Sequence, residues 1–483
     1  MTKNKKNAIP ETGIYDAKQL GVPKMVVLGF QHMFAMFGAT VLVPLLTGLD
    51  VATTLLMAGL GTLLFHVITK FKVPAFLGSS FAFLGGYAAV APLAGSESMT
   101  QKELLPYACL GVACAGLVYL ILAGIIKLVG VKKVMRFFPP VVTGPIIIAI
   151  GLGLSASAVN NCAVNWPLAL IALAIVVIFN IWGKGMAKII PILLGVLGAY
   201  IVAILVGNVG GVAGWSIDFS SVKEAAWIGL PIHKEATILG INWSNTSLVI
   251  SSIIAIVPIA LATMMEHIGD ISAIGATVGK NYIKDPGLHR TLTGDGIATT
   301  LASLVGAPAN TTYGENTGVL ALSKVYDPKV IRLAAIFAVV LSFSPKFAAV
   351  INSLPTAIIG GISFVLYGMI SAIGVRNVVE SKVDFTKSRN LIIAAVILVC
   401  TFGLKYSNAM GSNTVNLVDG AVTFAIGGVS ISLSALAVAS IAGILLNAIL
   451  PGKDYEFTED DPKDTGVNFA AGQNSKRLEK EAK

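Results

Sequence analysis

The chain has 483 residues, of which 55% are hydrophobic and 12% charged, and it carries a formal charge of +9. Ordinary soluble domains hold roughly 25% charged residues, so this composition cannot clothe a water-facing surface and places the chain in a lipid bilayer. The Lys and Arg residues are dealt out singly between apolar blocks rather than gathered on one face, which excludes a nucleic-acid partner. Cys109, Cys114, Cys162 and Cys400 lack metal-ligand spacing and read as small packing residues with free thiols.

The basic start MTKNKKN runs into polar residues with no short apolar core behind it, so no secretory signal is expected. Beyond a short segment at 1–24, stretches near the roughly 20 apolar residues that a crossing needs fall at 25–47, 51–69, 74–93, 104–127, 137–157, 166–183 and 189–207. A polar connection at 208–247 follows. A second set lies at 249–277, 291–307, 310–323, 329–344, 354–375, 390–404 and 423–449, within a second half at 248–450, and a charged tail occupies 451–483. The expectation is an all-α polytopic membrane protein of fourteen segments. Two of them, 74–93 and 310–323, are short and rich in Gly, Pro and Ser or Thr, as interrupted crossings are.

An even number of crossings puts both termini on one side, and the basic residues test this. With fourteen, Lys70, Lys72, Lys127, Lys132, Lys133 and Arg136 all fall on the side of the N-terminus, as do most of the others. Only Lys102, Lys223, Lys234, Lys346 and Lys405 fall opposite. Both ends are therefore expected in the cytoplasm, with the protein in the cell membrane.

The halves also echo each other. Pro74 precedes Phe81 by the spacing that separates Pro308 from Glu315, and Pro139 and Gly144 are spaced as Pro355 and Gly360. Seven segments per repeat is an odd number, so the second copy, 248–450, must enter the membrane upside down relative to the first, 25–207. Inverted repeats place a site near the midplane, where broken segments meet.

Three acidic side chains are read inside apolar segments, Glu266, Asp270 and Glu315. Such residues are costly in lipid and usually face a cavity. Glu266 and Asp270, four apart, share a helical face. If their span were 248–266 both would sit at its rim, but apolar character continues through Gly279 and places Glu266 well inside. His267 points about 100° away and is expected to pack or to hydrogen-bond. Glu315 lies where Gly314 and Gly318 permit an irregular backbone. The extended run Asn310 to Tyr313 has peptide groups that protein, water or a ligand must satisfy. Ser79, Ser80 and the ring of Phe81 supply the same kinds of group in the first half. Carboxylates, free peptide groups and an aromatic face suit a planar heterocycle with alternating N–H and C=O edges, such as a nucleobase.

Four stretches carry a resemblance: QHMFAMFGATVLVP at 31–44, GSSFAF at 78–83, EHIGD at 266–270 and TTYGENTGVLALSK at 311–324. Through them, and along nearly its whole apolar length, the chain resembles the nucleobase-ascorbate transporter family, also called nucleobase-cation-symport type 2, and within it the bacterial uracil permeases. Ser323 stands where the family signature usually has Thr, which keeps the hydroxyl.

The resemblance implies a core domain of segments one to four and eight to eleven, and a gate domain of segments five to seven and twelve to fourteen. Segments three and ten would each join a short strand to a half-helix. It implies that Glu266 binds the edge of the base and that Glu315, Gly314 and Phe81 complete the hydrogen bonds. Ser80, Ala39, Tyr313 and Tyr367 would line the site, with His32 and Asn316 in support. Asp270, a histidine in some uracil permeases, leaves the route of the proton open. Glutamate in the first signature position, where many purine transporters have glutamine, favours uracil.

The reading is proton-coupled uracil import by alternating access, with no enzyme activity, no cofactor, the proton as coupling ion, and a homodimer. A xanthine or other purine symporter and a passive facilitator are the alternatives. An anion carrier would place a positive or helix-dipole environment where these glutamates lie.

Overall fold

The structure, a computed structural model, describes residues 13–90, 99–407, 415–418, 421–426 and 429–452; within these the side chains of Met186, Ile189, Glu315, Glu380 and of residues 415–418, 425, 426, 429 and 430 are not described. The charged tail expected at 451–483 therefore lies outside the described residues from 453 onward.

The first half contains α1 (Val22–Thr47), α2 (Val51–Ile68), strand β1 (Leu77–Ser79), α3 (Leu84–Val90), α4 (Gln101–Val129) and the short α5 (Val131–Met135). Then come α6 (Pro140–Gly153), α7 (Ser155–Ala163), α8 (Trp166–Trp182), the short α9 (Met186–Ile189) and α10 (Pro191–Ala203). A short α11 (Ser220–Glu224) lies in the connection. The second half contains α12 (Thr246–Ile256), α13 (Ala260–Val278), α14 (Leu288–Leu304), strand β2 (Asn310–Thr312), α15 (Glu315–Ser323), α16 (Pro328–Ser342) and α17 (Pro345–Asn352). It ends with α18 (Thr356–Glu380), α19 (Ser388–Tyr406), strands β3 (Val415–Val418), β4 (Ala421–Ile426) and β5 (Val429–Ser434), and α20 (Ala435–Ile449).

Local chemistry sets many of these limits. Asp50 caps α2 by accepting the Thr53 amide at 2.6 Å, and Thr100 and Glu103 form a reciprocal capping box on α4. Gly48 and Gly279 close α1 and α13 in the left-handed conformation that glycine adopts without a Cβ penalty. Pro258 sits in the 3₁₀ turn Val257–Ile259 that joins α12 to α13, and Thr246–Val278 is one apolar span of 33 residues.

Among the described residues eight helices or joined helices are long and apolar enough to cross a membrane, and α16 with α17, bent by 87° at the break before Pro345, makes a ninth. Both segments expected to be interrupted are so: each is a three-residue strand followed by a short helix. The last expected segment, 423–449, is only helical from Ala435. Its first part belongs to the antiparallel sheet β3-β4-β5. The sequence explains the correction, because VSISLS alternates with period two, and Asp419-Gly420 and Gly427-Gly428 are hairpin dipeptides between the runs.

Helix contacts fall into two groups. In one, α14 packs on α4 and α2, α16 on α2 and α1, and α12 on α4. In the other, α18 packs on α6, α7 and α8, α10 on α8, and α19 on α20 and α6. Small residues let the backbones approach. A Cβ on Gly116 of α4 would lie 2.7 Å from the carbonyl oxygen of Gly296 in α14, and a Cβ on Gly296 would lie 2.7 Å from that of Gly116.

Candidate functional site

The two strands meet each other. β1 and β2 pair antiparallel, with Leu77 opposite Thr312, Gly78 opposite Thr311 and Ser79 opposite Asn310, and the ladder is flanked by Ser80 N–H to Ala309 O at 3.0 Å and Tyr313 N–H to Phe76 O at 3.0 Å. Buried side chains brace it from three helices. Thr62 of α2 accepts the Leu77 amide at 2.9 Å, Asn310 Nδ2 donates to Met57 O at 2.7 Å, and Thr299 of α14 donates to Asn310 O at 3.0 Å. The peptide groups of the extended run are thus satisfied largely by protein, and a ligand is not needed to account for them.

A further brace, from Asp295 of α14 and His267 of α13, is one that sequence reasoning missed. Asp295 of α14 is fully buried and accepts the Thr312 amide at 2.9 Å through Oδ1. Its Oδ2 lies 3.2 Å from His267 Nδ1, which is also 3.0 Å from the Thr312 hydroxyl. The expected set of three acids in apolar segments therefore omits Asp295, whose signal is the aspartate in TLTGDGIATT within the expected crossing 291–307. Its glycine neighbours explain how it fits: a Cβ at Gly294 would stand 2.7 Å from the Phe65 ring, and Gly296 is the close approach to α4. His267 hydrogen-bonds, as one of its two expected roles had it.

Glu266 and Asp270 are both half-buried and each has interaction partners. Since α13 continues unbroken to Val278, Glu266 lies about 18 Å from its end at 1.5 Å per residue. The helix therefore continues past both carboxylates rather than ending at Glu266. Asp270 faces the start of α15: a Cβ on Gly314 would stand 2.8 Å from Asp270 Oδ1. A carboxylate there sits at the positive end of the helix dipole. By helical spacing Glu266 occupies the same face one turn away.

Tyr313 turns back onto the first half. Its hydroxyl donates to Ser79 O at 2.9 Å and lies 3.1 Å from the hydroxyl of Thr40, the neighbour of buried Ala39 on α1. Its ring covers Gly78, where a Cβ would approach it to 2.6 Å. The Phe81 ring meets Tyr367 of α18 edge-on, with centroids 5.6 Å apart and planes at 82°. This contact joins the two helix groups. Ser80 Oγ is buried without a hydrogen-bond partner among the described residues.

Asn316, also buried, donates to the backbone carbonyl of His32 at 3.4 Å. That contact is made by the His32 peptide group; both His32 ring nitrogens are buried without partners among the described residues. Glu315 opens α15, its side chain lying outside the described residues. A cavity of about 140 Å³ beside Phe81 extends between α3, α6, α19 and α20.

The sequence matches known proteins along the same stretch. A sequence model described as the Permease family matches residues 23–410. The uracil permease of Bacillus caldolyticus is 39% identical over 457 residues, 92% of this chain and 95% of that protein. The uracil permease of Bacillus subtilis (strain 168) is 39% identical over 439 residues, 88% of this chain and 92% of its own. The fold is shared with the transmembrane domain of a cyanobacterium bicarbonate transporter, BicA, at a TM-score of 0.57 and 16% identity, covering 89% of this chain and 99% of that domain. With these matches running almost end to end, the chain is a multi-pass membrane permease and belongs to the nucleobase-ascorbate transporter family.

Proposed function

We propose that this permease imports uracil together with protons by alternating access. The observation that carries the substrate is the pair of uracil permeases that are 39% identical over most of both chains. The arrangement of the site suits the same ligand. Glu266 would hold the N–H edge of the base, the start of α15 with Gly314, Glu315 and Asn316 the other polar edge, and Phe81, Ser80, Ala39, Tyr313 and Tyr367 the walls, with His32 supporting α15.

Two carboxylates one turn apart on a half-buried face repel each other, and one proton on Glu266 or on the Glu266–Asp270 pair would relieve that repulsion. Protonation would let the site hold a neutral base without a bare charge. The helix group carrying α1, α2, α4 and α12–α16 would act as the core, rocking against the group around α18 as the gate. The two groups of helix contacts support that division. The nine long or bent spans, with α8, α14, α20 and the two strand-helix segments, support fourteen crossings in two inverted repeats, 25–207 and 248–450. Both termini would be cytoplasmic, in the cell membrane, with a homodimer formed through the gates.

Labelled-uracil uptake into proteoliposomes with an imposed pH gradient tests the reading. Accumulation is expected with the gradient and is expected to collapse with a protonophore. Glu266→Gln should abolish uphill uptake. Accumulation indifferent to the gradient would replace the symporter with a facilitator, and preferential competition by xanthine would replace uracil with a purine.

A further inference from the structure

A second polar cleft, of about 600 Å³, opens where the N-terminal segment returns to the core, and nothing in the transport reading uses it. Four separate stretches of chain build it: Tyr15 from the segment before α1, Phe71 and Lys72 from the approach to β1, Lys280 just past the end of α13, and Tyr326 to Arg332 at the start of α16.

Its charges do not cancel. Lys72 is matched by Asp285 at 2.6 Å, and Lys329 by Asp16 at 3.1 Å and Asp327 at 3.4 Å. Lys280 and Arg332 have no carboxylate at ion-pair distance among the described residues. Each lies over an aromatic ring instead: Lys280 Nζ is 4.8 Å from the centre of the Tyr15 ring and the Arg332 guanidinium 4.7 Å from that of Phe71. Such contacts hold the cations in place while leaving their N–H groups able to donate.

The backbone aims these groups at a conformational cost. Lys70 and Phe71 both have φ of +57°, a region that side-chain-bearing residues rarely enter singly, let alone in succession. The strained turn is what sets the Phe71 ring under Arg332 and starts Lys72 toward Asp285. Strain of this kind persists where the surrounding structure holds it and gathers at ligand clamps.

We propose that this cleft binds a phosphate ester, with Lys280 and Arg332 as its two counter-charges. A phosphate monoester carries about −1.5 to −2 charge at neutral pH and a phosphodiester headgroup a single one, both opposite in sign to the excess of cations here, and arginine offers the forked donors that phosphate oxygens accept. The volume leaves room for an organic moiety beside the phosphate. Bound there, the anion would tie together the end of α13, which carries Glu266 and Asp270, the approach to β1, and the segment leaving α15. It would thus bias the elements of the transport site from a distance. The same chemistry is offered by a soluble nucleotide and by the headgroup of an anionic phospholipid.

The test is thermal unfolding and titration calorimetry on the full chain, in detergent with uridine 5′-monophosphate, inorganic phosphate or uridine, and in nanodiscs of phosphatidylglycerol or phosphatidylcholine. Lys280→Gln and Arg332→Gln, singly and together, remove the charge but keep a polar side chain, and gel filtration with circular dichroism identifies folded variants. If the source is soluble, the nucleotide raises the unfolding temperature, uridine does not, and each substitution weakens nucleotide binding at least about tenfold. If the source is lipid, phosphatidylglycerol stabilises the wild type over phosphatidylcholine and the double variant loses that difference. The proposal is overturned if neither phosphate compounds nor phosphatidylglycerol distinguishes the wild type from a folded double variant, or if uridine binds as well as its monophosphate.

Discussion

His267 Nδ1 and Asp295 Oδ2 lie 3.2 Å apart with both side chains fully buried, on two different helices, and both reach Thr312 of the strand between them. This arrangement makes the strand's position depend on two buried polar side chains inside the protein. Removing one member leaves the other's buried polar atoms short of a partner, which costs about 1–3 kcal/mol and more where a charged group is stranded. Asp295→Ala should therefore lower the unfolding temperature in detergent and reduce uracil uptake, and His267→Ala should do the same. The double variant should fall short of the sum of the two. Additive losses would show that the residues act separately.

Gly314 is expected to tolerate no side chain. Gly314→Ala would bring a methyl group to 2.8 Å from Asp270 Oδ1, and the carboxylate must move from the start of α15. We expect weaker uracil binding by about tenfold, or about 1.4 kcal/mol, with little change in unfolding temperature. Equilibrium binding of labelled uracil to purified protein checks both.

These two sites show what the sequence could and could not reveal. Glu266 and Asp270 were legible because they interrupt an apolar run four residues apart, and Tyr313 and Gly314 because they lie in a recognisable motif. Asp295 was a visible charge in a stretch already read as a crossing. Its meaning, however, depends on His267, 28 positions earlier, and spacing does not report which helices pack together. The peptide groups of Asn310–Thr312 raised the right question of what satisfies them; the answer, strand β1, required knowing that two distant segments pair. The sheet at 415–434 was missed because its aliphatic residues passed for a helix, although the alternation in VSISLS was there to read.

Tyr367 supplies a ring edge to Phe81 across the two helix groups. Tyr367→Phe keeps that contact and should retain most uptake. Tyr367→Ala removes it, and aromatic pairs of this kind contribute about 0.5–1.5 kcal/mol beyond their buried area. Uptake rates for the two variants at equal surface expression distinguish the ring from the hydroxyl.

The Gly116–Gly296 approach between α4 and α14 should be sensitive to volume. Either residue changed to Leu forces the backbones apart, and overpacking costs typically about 1–3 kcal/mol and more where backbone is the neighbour. We expect Gly296→Leu to reduce the folded yield and to displace Asp295 with it, so uptake should fall further than the yield. Uptake normalised to folded protein reads this.

The N-terminal segment should loosen in acid. Hydrogen bonds from the Lys329 ammonium and then from the Lys18 amide hold the Asp16 carboxyl below its ordinary 3.8. A carboxylate whose pKa is lowered by folding contributes above its unfolded value and loses that contribution as pH falls through the folded one. The contacts of Asp16 should be complete above about pH 4 and lost progressively below it. Hydrogen-exchange protection of residues 13–20 should drop across that range in the wild type and be lower, with less change, in Asp16→Asn.

The ladder between β1 and β2 has three residues on each side and no slack. Because alternate residues on a strand face opposite ways, inserting or deleting one residue in either strand would swing Thr312 off Asp295 and His267 and uncouple Tyr313 from Ser79. Neither strand-helix segment can drift in length by itself, so the two halves of the chain are bound to a common geometry, and retuning what they grip must proceed by exchanging side chains on a fixed frame.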